Sequence, residues 1–361
     1  MDFFRHFVSD TAAGSGNQSF FRPADPDSPI TARVYYRVTV GGRHRYSALF
    51  SNTVDSTFAD GSFSRTDRAL GPWTIHSLRV GVCESADMQV CVEPVEFLTL
   101  TFDGRTEKSV APGELFSCDS FDCDVPRGGV LCFEIVFSGA EIPCHPESLL
   151  PAFVKSGENW LPSRELPFLS MLGSDRPAAT RLGFWGDSIT QGIGTAPDSY
   201  AHYTALIANR LGSGCAVWNL GLGYARAHDA ARLGAWYQKA VNNDVVCVCF
   251  GVNDLFQCEN GRHLKEDLTK IVRALKSRGI KVLLQTVPPF GYPPELAEIW
   301  RETNRFITEE MVGEADAVFD CVPILGLDAE HPHMPRFGGH PDETGCALWA
   351  DALLSAIRKL I

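Results

Sequence analysis

The spacing of apolar residues changes once along this chain, near residue 180, and that change constrains the fold more than any motif does. Before it, apolar and polar residues alternate as in half-buried strands. Thr31 to Val40 (TARVYYRVTV), Tyr46 to Phe50, Trp73 to Val82, Val95 to Phe102 and Val130 to Phe137 are β-branched and aromatic. The pairs Gly41-Gly42, Asp60-Gly61, Asp103-Gly104, Pro112-Gly113 and Gly128-Gly129 supply the turns. Short strands at this spacing, with no amphipathic helix among them, predict an all-β sandwich of antiparallel strands.

From Arg181 the pattern becomes β-α-β-α. Leu182 to Trp185, Ala216 to Leu220, Asp244 to Phe250 (DVVCVCF), Lys281 to Val287 and Ala317 to Val322 are short apolar runs. Between them, Tyr200 to Leu211, Ala225 to Val241, Leu264 to Arg278, Pro294 to Met311 and Glu343 to Leu360 read as helices. Continuous apolar strands alternating with helices predict a parallel sheet covered on both faces, a three-layer, flavodoxin-like α/β fold. The expected organisation is a jelly-roll-like β-sandwich domain over 1–150 and an α/β domain over 180–361. Between them, 151–179 is a Pro- and Ser-rich connector packed across both, because Leu149, Leu150, Phe153, Trp160 and Phe168 need burial. At 361 residues, two domains also match the length.

The chain carries 32 Lys and Arg against 44 Asp and Glu, a net charge of −12. That balance argues against nucleic acid and against an anionic membrane surface as partners. No run of eighteen or more apolar residues offers a bilayer span, and MDFFRHFVSD lacks the pattern of a secretory signal. A cytoplasmic location with the twelve cysteines reduced is the expectation. Cys118-x4-Cys123 and Cys247-x-Cys249 do not have zinc-site spacing, and His331-Pro-His333 reads as a surface loop rather than a ligand pair. Neither a metal nor an organic cofactor is expected.

In parallel sheets, sites form at the carboxyl ends of strands. There the sequence places Gly186-Asp187-Ser188-Ile189-Thr190-Gln191-Gly192, then Asn219-Leu220-Gly221-Leu222-Gly223-Tyr224, then Gly251-Val252-Asn253-Asp254; Gly338-Gly339-His340-Pro341 precedes the last helix. A hydroxyl is a poor nucleophile until a base takes its proton, and His is the usual base. A tetrahedral intermediate also needs donors already aimed at its oxyanion.

This order of Ser, Gly, Asn and His blocks resembles the SGNH (GDSL-type) hydrolase family, over residues 183 to 352. A sandwich ahead of the catalytic domain resembles some carbohydrate esterases, on architecture alone. The resemblance implies Ser188 as nucleophile and His340 as base. It implies an oxyanion hole from the Ser188 N–H, an N–H of the Gly221–Tyr224 turn and the Asn253 amide. The family's donor glycine falls on Tyr224, with Gly223 just before it, so either N–H could serve. The family's Asp three residues before His is Phe337 here. The imidazole is then held by a backbone carbonyl near Phe337, or by an acid such as Asp320, Asp342 or Glu343, or works in a Ser–His dyad.

Plainer readings stand beside these. Ser188 could be only a helix cap and Asn253 only a turn residue. Asp187 and Asp254 read as loop-fixing or capping groups, and Arg226 with Asp229 as a helix-start charge pair or a brace for the hole. Pro288 to Pro294 reads as a stiff aromatic rim, with Trp300 beyond it as core. The dinucleotide fingerprint fails because Arg226 stands where the third glycine belongs, and G-x-S-x-G is absent at Ser188.

The reading is a serine esterase acting on small, acetyl-type O-acyl esters, with a carbohydrate ester suggested by the two-domain resemblance. Its partner is the ester substrate, with a homo-oligomer left open. A lysophospholipase or thioesterase, and a non-catalytic glycan-binding protein with a degenerate hydrolase domain, remain alternatives. Tyr35, Tyr36, Trp73 and Phe97 could be core or a binding platform of the first domain.

Overall fold

The computed structural model describes residues 3–56, 66–257 and 259–361. The Asp60-Gly61 turn lies outside the described residues. Two antiparallel sheets build the first half of the chain. One orders Asn159–Pro162, Ala152–Ser156, Ile30–Arg37, Val130–Gly139, Trp73–Cys83 and Leu98–Leu100, with Lys108–Val110 also pairing with Trp73–Cys83. The other orders Val8–Ser9, Met171–Ser174, Gly42–Ser51 and Leu115–Ser117, with Phe121–Val125 along Gly42–Ser51. Inward side chains of both, among them Val34, Tyr36, Tyr46, Phe50, Trp73, Ile75 and Phe133, share one apolar core. Tyr36 and Trp73 are therefore core; Tyr35 is buried in a separate cluster with Phe153, which Phe97 and Trp160 flank. Of the residues between 151 and 179, two segments extend the first sheet and one joins the second.

The second half is a parallel five-stranded sheet with helices, as the apolar pattern requires. Its order is Cys215–Asn219, Thr180–Gly186, Val245–Cys249, Lys281–Gln285, Ala317–Phe319, or 2-1-3-4-5 counted along the chain. The chain runs outward in opposite directions from the first and third strands, so their carboxyl ends flank the crevice where such sheets bind ligands. Every residue of Val245–Cys249 is buried, which explains why its sequence is continuously apolar. Tyr203–Leu211, Leu264–Ser277, Pro294–Glu309 and Glu343–Ile357 are the long helices. None of the described helices is long and apolar enough to cross a membrane.

The helix expected over Ala225 to Val241 is instead two short ones, Ala227–Ala230 and Ala235–Ala240. Leu233 between them is left-handed (φ +60°). Asp67, from the β-rich half, accepts the Ala235 N–H at 2.7 Å and so starts the second helix anew. A tertiary contact thus divides a segment that is helical by local pattern.

The two halves meet through buried polar groups. Trp218 donates to the Ser15 hydroxyl (3.0 Å) and the Ser170 carbonyl (2.9 Å). Lys239 meets Asp55 at 2.6 Å, and both side chains are almost fully buried. Removing one member of such a pair leaves an uncompensated buried charge. Lys239→Met should therefore cost about 3–5 kcal/mol in urea unfolding. A loss no larger than that of an exposed lysine such as Lys270 would contradict this role.

Candidate active site

Ser188 stands where the first parallel strand ends and a four-residue helix, Ser188–Gln191, begins. Asp187, not Ser188, is the N-cap: its carboxylate accepts the Ile189 N–H at 3.0 Å. That leaves the Ser188 hydroxyl free for another partner, His340 Nε2 at 2.8 Å. As the first residue of its helix, Ser188 also has an N–H without an intrahelical acceptor.

His340 lies on the loop before the last helix. Gly194 approaches that loop so closely that a β-carbon on it would lie 2.6–2.7 Å from the Pro341 and His340 carbonyl oxygens; its φ of +106° is also one that glycine favours. Phe290 meets the imidazole edge to face, with centroids 5.3 Å apart. Burial holds the His340 pKa below its ordinary value.

The candidates for orienting the imidazole are engaged elsewhere. Asp320 accepts from the Thr286 hydroxyl (2.9 Å) and the Val322 N–H (3.0 Å). Asp342 caps the last helix through the Gly345 N–H (2.8 Å), and the Phe337 carbonyl accepts the Asp342 N–H (3.0 Å). Glu343 is the first residue of that helix. Among the described residues, none hydrogen-bonds His340 Nδ1.

The glycine turn is more defined than its sequence. The Gly223 N–H donates to Gln191 Oε1 at 2.7 Å, so it is occupied. The Tyr224 N–H has no acceptor among the described residues, and Tyr224 is left-handed (φ +58°). That conformation, uncommon for a residue with a β-carbon, explains why a glycine is the expected residue there. Asn253, on the helix Val252–Gln257, donates from Nδ2 to the Ala225 carbonyl (2.9 Å), which ties it to the same turn. An amide nitrogen has two hydrogens, so one remains for a ligand.

Asp254 accepts the Ala227 and His228 N–H groups (2.9 and 3.1 Å), capping the helix that follows the turn. Burial pushes its pKa up to about 6. Arg226 and Asp229 form a bidentate pair at 2.9 Å. In the Pro288–Pro294 loop, Phe290 is the ring that packs on His340. Tyr292 is buried, and Phe256, which is 46 % exposed, stacks on it at 5.5 Å. Trp300 is core and donates to the Val287 carbonyl at 2.8 Å. His331 pairs with exposed Asp328, and no cluster of three or more His, Cys, Asp or Glu among the described residues is placed to hold a metal ion.

Three neighbours of the turn carried no role in the sequence reading. Gln191 lay in the quoted serine block without one, while Gln18 and Glu147 come from the β-rich half. Gln191 Nε2 donates to the Glu147 carbonyl (2.7 Å). Gln18 Nε2 donates to Glu147 Oε2 (2.6 Å) and to the Gly223 carbonyl (3.2 Å).

A serine–histidine pair at the switch point of a 2-1-3-4-5 parallel sheet defines an SGNH-type α/β domain. Residues 184–348 match the GDSL-like Lipase/Acylhydrolase family, and the C-terminal half of this chain is a domain of that family, preceded by antiparallel β-sheets. Members of that family are hydrolases, generally esterases. No curated protein sequence matches the chain. Among solved structures, a GDSL-like lipase from Bacteroides thetaiotaomicron VPI-5482 is 17% identical over 52% of this chain and 92% of its own, with a TM-score of 0.42. The psychrotrophic esterase EstA from Pseudoalteromonas sp. is 14% identical over 50% of this chain and 97% of its own (TM-score 0.40). The salicylyl-acyltransferase SsfX3 from a tetracycline biosynthetic pathway is 14% identical and aligns over 92% of this chain and 82% of its own (TM-score 0.39).

Asp187 generates a pH prediction. Burial, reinforced by the charge of Asp254 and opposed by the Ile189 N–H, raises its pKa from 3.8 to about 7. Across that window the native state holds a proton that the unfolded chain releases, so stability falls as pH rises through it. Urea midpoints measured from about pH 5 to about pH 8 should fall in the wild type and fall less in Asp187→Asn, which cannot ionise. Identical slopes would show that Asp187 ionises as freely in the native state as in the unfolded chain.

Proposed function

We propose that this chain is a serine esterase that hydrolyses O-acyl esters through an acyl-enzyme, with Ser188 as nucleophile and His340 as general base. The observation that carries the reading is the 2.8 Å hydrogen bond between the Ser188 hydroxyl and His340 Nε2. Ser188 Oγ attacks the acyl carbonyl as its proton passes to Nε2. The carbonyl oxygen becomes an oxyanion facing the Ser188 N–H, the Tyr224 N–H and the second Asn253 amide hydrogen. Collapse expels the alcohol, which takes the proton from His340. Water then attacks the acyl-enzyme with the same histidine as base, releasing the acid and restoring Ser188.

We read His340 as half of a dyad. Asp320 and Asp342 have their own donors, and the loop is held instead by Phe290 and the close approach of Gly194. The Tyr224 N–H is the turn's donor because Gln191 occupies that of Gly223.

A short acyl group, on an alcohol that includes carbohydrate, is the substrate of this reading. The exposed ring of Phe256, continuous with Phe290 beside His340, favours a second reading in which a longer acyl chain is accepted. An ester series from acetyl to palmitoyl separates the two. The proposed division is a β-sandwich up to about residue 150 and a catalytic domain from about 180, judged from the change of period. A reducing, cytoplasmic compartment belongs to the same reading, supported by the free thiols of the eleven described cysteines.

Ser188→Ala should abolish hydrolysis of short p-nitrophenyl esters, and Asn253→Ala should lower kcat by about 10²–10³-fold. His340 must be neutral to accept the proton, and burial lowers its pKa below 6.5. The rate kcat/KM should therefore rise with pH through an apparent pKa below 6.5 and be level at neutrality. Full activity in Ser188→Ala, or an acid limb centred above 6.5, would contradict the assignment.

A further inference from the structure

The turn that carries the Tyr224 N–H is held by a side chain from near the start of the chain. We infer that Gln18, in the β-rich half, is a positioning residue for the oxyanion donor. The inference rests on the esterase reading above and assigns the β-rich half a part in it.

One peptide group links Gln18 to the proposed donor. The Gly223 carbonyl and the Tyr224 N–H belong to the same trans amide, so they point in opposite directions. Gln18 Nε2 donates to that carbonyl at 3.2 Å. Fixing the carbonyl on the Gln18 side fixes the N–H on the other side. The preceding peptide is fixed as well, because the Gly223 N–H donates to Gln191 Oε1 at 2.7 Å. Two glutamine side chains thus hold consecutive peptides of the turn.

Gln18 is itself held in one orientation. Its Nε2 donates to Glu147 Oε2 at 2.6 Å as well as to Gly223, and its Oε1 accepts the Glu147 N–H at 3.2 Å. Turning the amide over would put its oxygen against a carboxylate and a carbonyl, and its NH₂ against an N–H. Gln18 is fully buried, so water cannot take over either bond. Gly223 has to be a glycine here: a β-carbon would collide with the Glu147 carboxylate and come within 2.6 Å of Gln18 Nε2.

The bond has a strain to oppose. Tyr224 at φ +58° lies in the left-handed region, which is strained for a residue with a β-carbon. Rotating the Gly223–Tyr224 peptide relieves that strain and reverses the direction of its N–H. The hydrogen bond from Gln18 keeps the strained orientation populated.

The test uses the full chain with p-nitrophenyl acetate and with phenylboronic acid, whose adduct on Ser188 places an oxygen in the hole. Gln18→Met removes every polar bond at similar size, and Gln18→Glu keeps the acceptor but not the donor. Each should lower kcat by about 10–100-fold with KM within about threefold, short of the full loss of a donor. The inhibition constant for phenylboronic acid should rise in step, and the acid limb of the pH profile should stay in place because His340 is untouched. A merely structural role would lower the melting temperature and leave kcat of the folded enzyme alone. If both variants fold and keep kcat within about threefold, the inference is overturned while the esterase reading, tested by Ser188→Ala in the same assay, stands. Hydrolysis persisting in Ser188→Ala overturns both.

Discussion

A serine hydroxyl becomes a nucleophile only where a base is held against it, and the histidine that meets Ser188 lies 152 residues further along the chain. The strand order resolves that separation. Because the first and third strands are neighbours while the chain leaves them in opposite directions, the Ser188 helix, the glycine turn and the Asn253 helix all start at one edge of the sheet. The last helix then brings His340 back across the same edge. Buried groups of opposite tasks share this small volume: Asp187 and Asp254 each cap a helix start, and each pays for its burial with a raised pKa. These carboxylates hold the backbone beside Ser188 and after the glycine turn.

The β-rich half shares this machinery through contact. Its segments around Ser15, Gln18 and Glu147 touch the second strand and the turn that follows it. The interface is polar where it meets the turn and at the Lys239–Asp55 pair. Buried polar groups of this kind require specific geometry, because a hydrogen bond left unmade at such a depth costs more than a loose apolar contact. Through Gln18 the β-rich half thereby touches the peptide group whose N–H is the inferred oxyanion donor.

Much of this was legible in the sequence, because strands and helices declare themselves through period. DVVCVCF reads as a buried parallel strand and is one. Three of the four blocks lie at strand ends and the fourth before the last helix, and the structure brings Ser188 to His340 and Asn253 to the glycine turn. What could not be read depended on contacts between distant segments. The helix expected over Ala225 to Val241 breaks because Asp67 caps its second half. The choice between Gly223 and Tyr224 depends on where Gln191 points, and neither Gln18 nor Glu147 carries a local signal, since a single buried amide has no periodicity. The strands within 151–179 were equally hidden: Ala152–Ser156 pairs with Ile30–Arg37 and Asn159–Pro162 pairs with it in turn at the sheet edge, so pairing overrides a Pro- and Ser-rich composition.

The central claim is that Ser188 is a nucleophile activated by His340, and covalent labelling tests it without knowledge of the natural ester. A fluorophosphonate reacts with a serine whose proton a neighbouring base removes and whose oxyanion is stabilised. Peptide mapping after labelling should find one phosphonylated residue, Ser188, with labelling lost in His340→Ala. No adduct, or an adduct on a different serine, would contradict the account.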